Sequence, residues 1–162
     1  MQFSTKRPGA VAVLVTGCAV GVLDGAAALI NAWLRSGTPP ERVFRYIASA
    51  MFGNAAYTGD GTMVVAGVAL HFMVAVLWSV VFFVAYRYWP LLHGNKWVTG
   101  CLYGLFVWLM MNLVMVPLTQ APPLKFTWQG AITGWLIHMV LVGIPIVLLT
   151  RWWYEKFTAK FP

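Results

Sequence analysis

The sequence predicts an all-α membrane protein, a bundle of four transmembrane helices with one short interfacial helix on the outer, periplasmic side. Three observations carry this. Of 162 residues, 60% are hydrophobic and 9% are charged, a balance outside the range of soluble domains. Four apolar stretches, at about 9–33, 62–86, 97–118 and 129–150, reach the roughly 20 residues needed to cross a bilayer. The cations sit almost entirely between and beyond these stretches. Little chain is left over, so 1–162 is expected to form a single domain.

The first span is apolar and rich in small residues, yet it carries Asp24. A carboxylate in hydrocarbon is costly, so it is expected to turn inward. Gly17, Gly21, Asp24, Ala28 and Asn31 are spaced four, three, four and three apart, which lines one helical face. Gly17, Gly21 and Gly25 form two overlapping small-xxx-small pairs, which permit close backbone approach. Val15-Thr16-Gly17-Cys18 has the look of a lipoprotein cleavage box, but the apolar run continues well past Cys18. An uncleaved first helix is expected. Cys18 and Cys101 fall at different depths, which disfavours a bridge between them.

Ser36-Gly37 ends the first helix. In Thr38-Pro39-Pro40-Glu41, Thr38 has the chemistry of an N-cap and Glu41 would complete a capping box. A helix over about 39–52 is expected, stopped by Gly53-Asn54. Val43, Ile47, Ala50 and Met51 share one face, with Arg42, Arg45 and Ser49 away from it. Such a helix lies in the interface or caps the bundle mouth. Asp60-Gly61 turns into the second span. Tyr86-Arg87-Tyr88-Trp89 ends that span with the amphipathic rings and cation that belong at an interface. The third span carries the pair Gly100/Gly104, then Asn112 and Pro117. Gly134, His138 and Pro145 mark the fourth.

The formal charge of +7 does not point to nucleic acid, because of where the charge lies. Lys6, Arg7, Arg87, Lys96, Arg151, Lys156 and Lys160 fall on the side of both termini. Arg35, Arg42, Arg45 and Lys125 fall on the other. The positive-inside rule then places both termini in the cytoplasm. The basic ends suit anionic lipid headgroups, so the bilayer is the expected partner.

Within the spans the polar side chains are few. At about 1.5 Å of rise per residue, Asp24, His71 and His138 fall at one level, with Asn112 about one turn further out. Three readings follow. The four groups lock the helices together by hydrogen bonds. They form a proton, ion or small-solute site, since intramembrane ionisable groups mark such pathways. Or His71 and His138 ligate a haem or other tetrapyrrole. The last rests on Gly67 and Gly134, each four residues before a histidine, which would leave room for a flat ring. No metal site is demanded by the spacing. There is no HExxH, GxSxG or glycine-rich phosphate loop, so no catalytic residue is assigned.

His71, the segment 82–86, Pro90, Gly100/Gly104, Val116-Pro117-Leu118, Pro122-Pro123 and the Gly134/His138 helix together resemble the YagU-type family of small, largely uncharacterised bacterial inner-membrane proteins. The resemblance covers the last three helices. The first helix and residues 38–60 depart from the family pattern. The resemblance implies a bacterial inner-membrane location and a link to acid resistance, and it supplies no mechanism.

The functional expectation is a non-enzymatic integral membrane protein without a cofactor. Its role would be an accessory or structural subunit of a larger assembly, or a small stress-related protein. The small-residue faces make a homo-oligomer or larger complex reasonable. Proton, ion or small-solute handling through the Asp/His cluster is the alternative, and tetrapyrrole binding the second alternative.

Overall fold

A computed structural model of the chain describes residues 9–123 and 126–158. Among them every regular element is helical. These are α1 (Ala10–Ser36), α2 (Pro40–Phe52), α3 (Ala55–Thr58), α4 (Thr62–Tyr88), α5 (Lys96–Met110), α6 (Trp128–Ile137) and α7 (Ile144–Thr158), with a 3-10 turn at Pro90–His93. A π turn (Met111–Met115) and a 3-10 turn (Val116–Leu118) extend α5, and a second π turn (His138–Gly143) joins α6 to α7. Four continuous helices result, Ala10–Ser36, Thr62–Tyr88, Lys96–Leu118 and Trp128–Phe157, each long and apolar enough to cross a membrane. The chain thus has the architecture of a helical multi-pass membrane protein.

The fourth long helix overruns the expected end at Thr150. Its last cations and rings find partners at the helix surface: the Arg151 guanidinium donates to the carbonyls of Leu92 (2.8 Å) and Gly94 (2.7 Å). Lys156 lies 4.5 Å from the Trp152 ring centroid. The helix therefore continues past its apolar stretch without breaking.

Both π turns have a cause in sequence. Pro117 and Pro145 have no N–H, and their rings crowd the carbonyls of Leu113 and Leu141 four residues before. Widening the ladder just ahead of each proline relieves that crowding.

Glycine sets the two closest helix pairs. A Cβ on Gly17 would lie 2.6 Å from Val76 Cα, and one on Gly21 2.7 Å from the Phe72 ring, so α1 lies directly against α4. A Cβ on Gly100 would lie 2.7 Å from Ile144 Cα, and one on Gly104 would overlap the His138 carbonyl oxygen. The third and fourth long helices are therefore also backbone to backbone. A buried core at the end of the bundle holding the chain termini joins the two pairs: Trp78, Phe82, Tyr103, Ile146 and Val147. The Tyr103 hydroxyl donates to the Trp78 carbonyl at 2.6 Å.

At the other end α2 packs on α4, with Gly67 beneath the Phe44 backbone. The expected capping box does not form. Pro39 is the cap residue and makes no side-chain bond, while the Thr38 hydroxyl pairs with that of Ser36 at 2.7 Å. Nor does Arg45 point away from the bundle. It donates to the carbonyls of Ala56 (2.8 Å), Gly59 (2.8 Å) and Asp60 (3.1 Å), holding the connection to α4. Ser49, too, is fully buried and donates to Tyr46 O. On the polar face of α2, Arg45 and Ser49 make intramolecular contacts while Arg42 is exposed, and Arg45 does so because the α3 loop supplies carbonyls that a charged fork can satisfy.

Candidate functional site

Between the two tight helix pairs, at the α2 end, lies a cavity of about 370 Å³. Small-molecule sites run from about 300 to 1,000 Å³. α1 contributes Val20, Asp24 and Ala28, one row at four-residue spacing. α4 contributes Leu70, His71, Val74 and Trp78, and the two π turns contribute Met111 and Met115, and His138 and Val142. Tyr46, Ile47, Ala50 and Met51 of α2 form the lid. Met51 and Met73 line the cavity and are also 57% and 58% exposed, so it opens at the bundle surface beside them.

The lid is tied down from the far side. Gln120 N donates to Ala50 O (3.1 Å), the Gln120 amide to Met51 O (2.9 Å), and the Tyr46 hydroxyl to Pro122 O (3.3 Å). With the Arg45 staple, α2 is held at its middle and at its C-terminal end.

The wall gathers Asp24, His71 and His138 from three long helices. His71 Nε2 donates to Gly21 O across the α1–α4 seam at 2.8 Å. Gly25 makes room for this ring: a Cβ there would lie 3.1 Å from His71 Nε2. His138 Nδ1 donates to Gly134 O at 2.9 Å. Asp24 is half-buried, and among the described residues no hydrogen bond or ion pair reaches its carboxylate. Of the bond expected from Asp24 to a histidine or Asn112, direct or through a water, the direct form is not made. The three side chains share a cavity and are not close enough together to hold one metal ion.

Asn112 is placed elsewhere. It is exposed, and its amide donates to Trp108 O, four residues before, at 2.9 Å. A local carbonyl one turn back satisfies the amide without a second helix. The face expected of α1 also divides. Gly17, Gly21 and Gly25 meet α4, while Asp24 and Ala28 turn toward the cavity.

The histidines do not fit a tetrapyrrole in the way their spacing promised. The space beside Gly67 is filled by the α2 backbone at Phe44, and that beside Gly134 by the Trp108 indole. Each glycine admits a protein neighbour, so the room that the spacing suggested for a ring does not lie at the glycines. His71 Nε2 is also already bonded.

Sequence reasoning missed the cavity and the π turns. The signal for the turns was present in Pro117 and Pro145. Comparison with protein-family models, with curated proteins and with solved structures finds no match.

Proposed function

We propose that this chain is a non-enzymatic multi-pass protein of the bacterial inner membrane, with both termini in the cytoplasm, that binds a small, mainly apolar solute between its helices. The observation that carries the reading is the cavity wall. Three ionisable side chains from three long helices meet a mainly apolar space, and ionisable groups at membrane depth are costly unless they serve a path or a ligand. Both helical irregularities of the bundle open onto the same space, and π turns recur at functional sites. The unequal division of Lys and Arg and the YagU-type resemblance favour the location and orientation. An accessory role would not call for such a cavity.

Ala28 lies on the wall one turn from Asp24, so Ala28→Phe should fill the space. Protein purified in mild detergent should yield, on extraction and mass spectrometry, a small molecule that the A28F protein lacks. Identical extracts would refute the reading.

A further inference from the structure

We infer that the solute is a lipophilic amine bound as its ammonium ion. This rests on the cavity being a solute site, and it follows from which hydrogen-bonding groups the wall has left to offer. The polar side chains there are Asp24, Tyr46, His71, Trp78, Thr119 and His138. Each donor among them is already spent or enclosed. The Tyr46 hydroxyl donates to Pro122 O and the Thr119 hydroxyl to Val116 O. His71 Nε2 and His138 Nδ1 both face carbonyl oxygens, at 2.8 Å and 2.9 Å. A carbonyl only accepts, so each imidazole carries its proton on that nitrogen. In the neutral ring the second nitrogen, Nδ1 of His71 and Nε2 of His138, is an acceptor. The Trp78 indole nitrogen is enclosed by protein and does not reach the cavity surface.

What remains is a carboxylate and two imidazole acceptors in an apolar wall. That set rejects anions, since a second negative charge would stand beside Asp24 in a medium of low dielectric. A hydroxyl offers one donor to it. An ammonium offers up to three donors and the opposite charge. The head would pair with Asp24, and its remaining N–H groups would reach the imidazole nitrogens directly or through a water. The apolar body would lie toward Val74, Val107, Met111 and Met115.

The test compares n-octylamine, octan-1-ol and octanoate, each tritiated and each measured directly at neutral pH. The protein is held in nanodiscs of zwitterionic lipid, and empty nanodiscs give the background. The amine should bind more tightly than the alcohol by about tenfold or more, with octanoate weakest. Asp24→Asn should remove that preference, and a retained cooperative thermal melt shows that the variant is folded. Equal binding of all three by the unaltered protein, or tightest binding of octanoate, would overturn the amine inference while the cavity reading stands. Binding of none above background would overturn both. The unaltered protein decides the matter even if D24N fails to fold.

Discussion

Gly67→Ala isolates the contact that seats the lid. In the middle of a helix, alanine is favoured over glycine by about 1 kcal/mol, so propensity alone predicts a more stable protein. The structure predicts the reverse. A Cβ on Gly67 would overlap the Phe44 carbonyl oxygen and lie 2.6 Å from its carbon and 3.0 Å from its Cα. All three are backbone atoms, so no rotamer change relieves the overlap. Restoring a carbon separation of about 3.5 Å from 2.6 Å moves the α2 backbone by about 1 Å. α2 cannot follow freely, because Arg45 and Gln120 hold its two sides. Overpacking of this kind costs about 1–3 kcal/mol, and more where backbone must move. Because backbone must move here, the upper end of that range applies, and the net expectation is a loss of about 2 kcal/mol, an overpacking cost of about 3 less the helix-propensity gain of about 1. Thermal unfolding in detergent measures it, with Gly61→Ala as control, since nothing lies within 4 Å of a Cβ there. A second readout follows the lid: a cysteine placed at Ala50 on the cavity wall should react faster with a soluble maleimide in the G67A background. A G67A protein melting at or above the parent, with unchanged labelling, would refute the seating argument.

Further expectations follow from the same geometry. Gly17→Ala should cost more than Gly21→Ala on thermal unfolding, because the first meets the Val76 backbone and the second only the Phe72 ring, which can turn. Tyr103→Phe removes the bond to Trp78 O and keeps the ring against Phe82, 4.7 Å between centroids; its expected cost is about 0.5–1.5 kcal/mol, and no change in melting would argue that the hydroxyl is idle. The Thr62 hydroxyl and backbone N–H both donate to Asp60, and these bonds, with a smaller contribution from Arg45, hold its carboxyl below the ordinary value. Its contribution is therefore complete above about pH 3.9 and is lost as pH falls through the lowered folded value. Asp60→Asn should remove that part of the acid sensitivity below about pH 4, read by melting curves at stepped pH.

The four long helices were legible because hydropathy over about 20 residues depends on composition alone. The glycine pairs were legible because a missing Cβ has one use on a helix that meets another. Gly67 and Gly134 show where that logic stops: absence of a side chain marks close approach and does not say by what. Here the visitor is the Phe44 backbone in one case and the Trp108 indole in the other, and neither can be read from a spacing. Depth estimates brought Asp24, His71 and His138 to one level but could not give azimuth. His71 turned to a carbonyl on α1, His138 to a carbonyl of its own helix and Asn112 to Trp108 O. Arg45 was read as a solvated cation because the carbonyls it staples belong to a loop with no pattern of its own.

Why this bundle encloses a space at all can be argued from its seams. Helices in lipid gain nothing from the hydrophobic effect on meeting one another, so close packing must hold them. Glycine supplies it twice here, between α1 and α4 and between α5 and the turn before α7, where a Cβ on Gly143 would overlap the Gly100 carbonyl. Two rigid pairs can be joined along their whole length only if bulky side chains fill the seam between them. At the terminal end they do, through Trp78, Phe82, Tyr103 and Ile146. Toward α2 the wall includes the short side chains Ala28, Ala50, Ala75 and Ala121, and the two π turns that carry Met111 and His138 border the same space. The pairs are thus fastened at one end and spaced at the other, with α2 across the gap. Moving the lid then changes access to Asp24 without breaking either glycine seam. A change at Gln120 or Arg45 should therefore alter the rate of solute entry more than the melting temperature, whereas a change at Gly17 or Gly104 should do the opposite.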